Sequence, residues 1–108
     1  MERYDIEVNR GATFSKTMRL KKNGVPLDLT GWSGKAHVRP EPESETLICA
    51  MEVEIIAAEG KVRMVIPAEV TAEIPEGLYA WDIRTADSGG TVRYYVGGVF
   101  KVLPSVTK

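Results

Sequence analysis

One cysteine and one histidine are all that this chain of 108 residues holds of either type. A lone Cys49 excludes an intrachain disulfide, so stability must come from packing, as expected of a protein kept in a reducing cytoplasm. One His and one Cys are also too few for a metal centre built from converging nitrogen and sulfur ligands. The acidic run Glu41, Glu43, Glu45 lacks the Asp/Asn-rich, Gly-centred spacing of a calcium loop and reads as a solvated segment. No Gly-rich turn opens a helix, so no phosphate cradle is expected. Neither metal nor cofactor is therefore expected.

Charge of one sign is equally scarce: 14 Lys and Arg face 15 Asp and Glu, a net charge of -1, with no dense basic cluster. The electrostatic footprint needed for nucleic acid or an anionic membrane is missing. No apolar run approaches bilayer length, and Met1-Glu2-Arg3-Tyr4-Asp5 has neither a basic nor an apolar leader region. The chain reads as a mature, untargeted soluble protein.

What is present is enough apolar surface for one core. An apolar fraction of 44% and a charged fraction of 27% suit a globular protein, and residues 1–108 read as a single domain. Tyr4, Ile6 and Val8 alternate with Arg3, Asp5 and Glu7, the period of a half-buried strand. Thr13 to Lys21 reads as the next strand, with Phe14, Met18 and Leu20 on one face and Lys16 as the misfit among them. Asn23-Gly24 is a hairpin signal, since both residues tolerate positive φ, and Val25 to Leu29 should return antiparallel. Trp32, Gly34, Ala36 and Val38 then alternate with Ser33, Lys35, His37 and Arg39.

After the Pro-containing acidic loop, Leu47 to Ile55 and Lys61 to Ile66 continue the alternation. Ala68 to Ile74, bracketed by Pro67 and Pro75, is the one stretch with helical spacing and allows one or two turns. Gly77 to Thr85, Thr91 to Val96 and Gly98 to Leu103 complete the set, with Gly97-Gly98 expected to form a bulge or kink. Seven to eight short strands with one helical turn predict an all-β fold, an immunoglobulin-like antiparallel sandwich.

No catalytic arrangement emerges. His37 sits on the polar face of a strand with no companion base or nucleophile signature, and Cys49 belongs to an apolar face, where a buried inert thiol is expected. Asp28 falls in a turn and Asp82 in a strand, so paired carboxylates are unsupported. The aromatics Trp32, Tyr79, Trp81, Tyr94 and Tyr95 offer two readings: a stacking platform for sugar or a partner, or core filling by the two tryptophans. Tyr94 and Tyr95 are adjacent in a strand and must point to opposite faces, which puts one of them at the surface or an interface.

Four blocks carry a resemblance: Arg10-Gly11-Ala12-Thr13-Phe14, Gly24-Val25-Pro26-Leu27-Asp28-Leu29-Thr30-Gly31-Trp32, Ile66-Pro67-Ala68-Glu69-Val70-Thr71 and Pro75-Glu76-Gly77-Leu78-Tyr79-Ala80-Trp81-Asp82-Ile83. In order and spacing the chain resembles small tail and baseplate proteins of bacteriophages and prophages, including the N-terminal domain of baseplate upper proteins. The resemblance implies an immunoglobulin-like sandwich and a non-enzymatic structural role in virion assembly. It implies other tail or baseplate proteins as partners, a homo-oligomer, and a place in the virion after assembly in the bacterial cytoplasm. Asp28, Thr30 and Gly31 are expected to hold a structural corner, and Tyr94 and Tyr95 to face an interface. The alternative is a carbohydrate- or cell-surface-binding β-sandwich.

Overall fold

The computed structural model describes residues 2–105. Ten strands follow in order: β1 (Glu2–Arg3), β2 (Ile6–Asn9), β3 (Phe14–Arg19), β4 (Lys21–Lys22), β5 (Val25–Pro26), β6 (Ser33–Arg39), β7 (Cys49–Ile56), β8 (Lys61–Ile66), β9 (Gly77–Ala86) and β10 (Val92–Leu103). A single helical turn, α1 (Ala68–Thr71), and a 3₁₀ turn at Ala57–Glu59 interrupt them. Strands are hydrogen-bonded in the order β1-β10-β9-β6-β7-β8-β3, and β2 shares the β1 side of β10. The result is the immunoglobulin-like β-sandwich that the alternation implies.

One strand belongs to both layers. Cys49 to Met51 of β7 pair with β6, whereas Glu52 to Ile56 pair with β8. The chain thus folds over at β7, and the inward residues of both halves meet. Val38, Val62, Met64, Ile66, Ile83 and Phe100 are each 0% exposed at the centre of that contact, which removes their apolar area from water and supplies the main driving force for folding. Phe14 closes on Phe100 edge to face, with ring centroids 6.2 Å apart.

The structure departs from the sequence reading in several places. The first strand is split, and both halves pair parallel to β10 rather than antiparallel. At the break the Asp5 carboxylate accepts the Val99 backbone N–H at 3.0 Å, and the register with β10 is the same on either side of it. Tyr4, on the same parity as the buried Ile6 and Val8, is nevertheless 43% exposed. The return after Asn23-Gly24 pairs at Val25 and Pro26 and ends with the Leu27 N–H on the Leu20 carbonyl at 2.9 Å, short of Leu29. Leu29 then turns inward as a fully buried plug.

The strand expected from Leu47 begins at Cys49, leaving Leu47 exposed. The segments flanking Gly97-Gly98 are one continuous strand, and its register slips between Tyr94 and Val96, not at the glycines. Gly98 has a different duty: a Cβ there would lie 2.7 Å from the Tyr4 carbonyl oxygen, so its missing side chain admits the N-terminal segment.

Helical spacing over 68–74 yields α1 plus a trailing turn closed by Ile74 N–H on the Thr71 carbonyl. Thr71, fully buried, accepts the Gly11 N–H at 3.1 Å and donates to the Ala12 carbonyl at 2.8 Å. The side chain thereby fastens α1 to the turn between β2 and β3.

Candidate interface at the open seam of the sandwich

Folding the sheet at β7 brings its two ends, β3 and the β10 side, to the opposite margin. They do not zip together. β3 ends the strand order, with no strand beyond it among the described residues. On β10, pairing with β1 starts at Val96, so the outer side of Val92 to Tyr95 carries no described strand either. Near the β2–β3 turn the margin is closed by side chains, with the Lys16 ammonium 4.6 Å above the Tyr4 ring. Farther along it opens into a cleft of about 560 Å³.

The floor of that cleft is apolar, made by Met18, Leu27, Met64 and Trp81. Tyr94, Tyr95 and Val96 form one wall, and the opposite wall carries Lys16 and Arg19 of β3 and Lys21 of β4. No Asp or Glu lines it. Among the described residues, none of these cations has a carboxylate within ion-pair distance, whereas Arg3, Lys61, Arg93 and Lys101 each do. In a chain with one more acidic than basic residue, that is a local concentration of positive charge.

The register slip in β10 sets the two tyrosines apart. Tyr94 is 51% exposed, while the Tyr95 ring stacks on Trp32 at 6.4 Å between centroids. Trp32 is half-buried, and Trp81 is 3% exposed with its indole N–H bonded to the Tyr4 carbonyl. The corner before Trp32 is held by Asp28, whose carboxylate oxygen accepts the Thr30 hydroxyl at 2.6 Å and the Thr30 N–H at 3.0 Å. These bonds hold the Asp28 carboxyl below the usual carboxylate range, the hydroxyl contributing most. Gly31 follows with φ 81°, and Trp32 N–H returns to the Leu29 carbonyl. The corner therefore buries Leu29 and sets Trp32 against Tyr95.

A second hollow of about 530 Å³ lies over the outer face of β6, β9 and β10. His37 sits there opposite Asp82, and Arg39 Nη2 is 3.4 Å from its Nδ1. Burial first, then the charge of Arg39, lowers the imidazole pKa against the opposing pull of Asp82. The lining of this hollow includes no Ser, Thr, Cys or Lys, and the hydroxyl it does hold, that of Tyr79, is donated to the Pro75 carbonyl at 2.6 Å. Burial raises the Cys49 thiol pKa, which keeps it protonated.

Among the described residues no three His, Cys, Asp or Glu side chains come together as metal ligands, and no helix is long and apolar enough to cross a membrane. The Lys16, Arg19 and Lys21 side of the cleft was not singled out by pattern. Its one sequence signal is Lys16, a charge at a position where the alternation calls for an apolar residue.

No family model matches the chain, and no curated protein matches its sequence. Among solved structures, the crystal structure of CopC from Methylosinus trichosporium OB3b aligns with a TM-score of 0.56. The alignment covers 96% of this chain and 88% of that one at 14% identity. The likeness is one of fold.

Proposed function

We propose that this chain is a non-enzymatic structural component of a phage or prophage tail or baseplate, acting in virion assembly through protein–protein contacts. The observation that carries the reading is the open seam: two unpaired sheet margins flank an apolar cleft with Tyr94 exposed at its rim. Unpaired strand edges and exposed aromatics are what sheet-edge association uses. The four sequence blocks support it, because the corner at Asp28 and the Thr71 clamp both lie within them.

On this reading the partners are other tail proteins or further copies of the chain, and the protein resides in the virion. Burial of Trp81 and the stacking of Trp32 on Tyr95 remove the flat paired indoles that a sugar platform would want, which favours assembly over glycan binding. The test is co-purification from an induced lysate combined with sedimentation of the pure protein. Capture of tail proteins or formation of a defined oligomer is expected. A chain that stays monomeric at high concentration and brings down no tail protein overturns the reading. Loss of a measured turnover in His37→Ala would likewise overturn the non-enzymatic part.

A further inference from the structure

We propose that the seam receives an extended acidic segment of a partner protein, which pairs with the free margin of β3 and sets its carboxylates against Arg19 and Lys21, on the outward face opposite Lys16 and Met18. The proposal rests on the assembly role above and names the chemistry of the partner.

The backbone supplies the first half of the argument. β3 offers six residues of regular strand, Phe14–Arg19, bonded on one side only by β8. A strand laid along its other side would satisfy the outward N–H and C=O groups. Side chains on a strand alternate, so one face of the incoming segment would drop onto Met18, Leu27, Met64 and Trp81 while the other stays at the rim.

Charge decides which segment fits. The rim on the β3 side is cationic and unpaired among the described residues, and no carboxylate lines the cleft. A second copy of the chain, joined edge to edge through β3, would crowd its own Arg19 and Lys21 along the same short edge, where like charges repel. An acidic strand reverses the sign of that term. The same lysine and arginine that guard the edge against copies of this chain thus admit a partner of opposite charge.

The probe is a capped synthetic peptide of alternating glutamate and valine, about seven residues long so as to span a six-residue strand. Added to the whole ¹⁵N-labelled protein, it should shift the amides of Ser15 to Arg19 and of Tyr94 to Val96. A matched lysine/valine peptide should not. A glutamate/valine peptide methylated at alternate backbone nitrogens should lose the shifts, because main-chain pairing is then blocked. The double variant Arg19→Glu/Lys21→Glu should weaken binding about tenfold, and added salt should weaken binding to the wild type. If that variant does not fold, Arg19→Gln/Lys21→Gln carries the same comparison.

Absence of shifts along β3 overturns the proposal. So does equal binding of the lysine/valine peptide, of the methylated peptide or of an oligothymidylate of the same charge. Concentration-dependent β3 shifts without peptide would assign the seam to a second copy instead, and so overturn it too. Failure here is distinct from failure of the assembly role: the charge-reversed variant may be asked separately whether it still co-purifies with tail proteins, and wild-type co-purification without peptide binding discards the seam alone.

Discussion

The indole N–H of Trp81 donates to the carbonyl of Tyr4 at 2.8 Å, joining residues 77 positions apart. Trp81 is 3% exposed, so this bond is made away from water at the point where the N-terminal segment runs beside β10. Trp81→Phe keeps an aromatic ring but leaves the Tyr4 carbonyl without its donor and trims the packing. A loss of about 2–3 kcal/mol is expected, read as a lower urea midpoint with an unchanged slope. A midpoint unchanged within error would show that the bond contributes nothing.

Thr71 permits a cleaner separation of hydroxyl from methyl. Thr71→Val preserves shape yet strands the Gly11 N–H and the Ala12 carbonyl, and should cost about 1–3 kcal/mol. Thr71→Ser keeps both bonds and should cost less. The reverse order in thermal melts of the two variants would mean that the site is held by packing and not by the hydroxyl.

Gly60 is walled by backbone. It has φ 63°, and an added Cβ would stand 2.8 Å from the Leu27 carbonyl oxygen and 3.0 Å from that of Leu20. Neither neighbour is a flexible tip, so Gly60→Ala should destabilise by about 3 kcal/mol or more. At Gly24, with φ 78° and nothing within 4 Å of the added atom, the same change should cost only about 1 kcal/mol. Equal midpoints for the two variants would contradict the structure around Gly60.

Stability should fall on the acid side. The Val99 N–H, then Arg3, lowers the Asp5 pKa, and the Thr30 hydroxyl and N–H lower that of Asp28. A carboxyl with a depressed folded pKa contributes stability that is present above the usual carboxylate range and is lost as pH falls through its folded value. His37, lowered chiefly by burial, acts in the same direction but earlier, as pH drops below the ordinary imidazole range. Denaturant midpoints measured against pH should therefore decline in two stages, with His37→Ala removing the first and Asp28→Asn flattening the second. Carbon-detected titration placing Asp28 at or above an ordinary aspartate would refute the assignment.

Much of this fold was legible because alternation of apolar and polar residues is a local signal. Val38 and Ile83 face inward in β6 and β9 as their spacing requires. The parallel pairing of β1 and β2 with β10 was not legible, because it joins residues 94 positions apart, such as Glu2 and Val96, which no local pattern relates. Gly97-Gly98 read as a kink since glycine in a strand has two meanings, irregular backbone or close approach, and spacing cannot choose between them. The cleft was hidden for a related reason. Its two walls, β3 and Tyr94 to Val96, lie far apart in sequence and meet only after the sheet has folded over.

That fold-over at β7 has a mechanical consequence. A strip of sheet creased along one strand and unsewn at the opposite margin behaves as a clasp: its spine is continuous main chain, and its lips are joined by the β2–β3 turn at one end and by side chains along the rest. Strain placed on the molecule, whether by a docking neighbour or by thermal motion, concentrates at the lips, where Lys16 rests on Tyr4. Amide exchange should accordingly be fastest along β3 and slowest in β9, which carries ladders to β6 and β10 on its two sides.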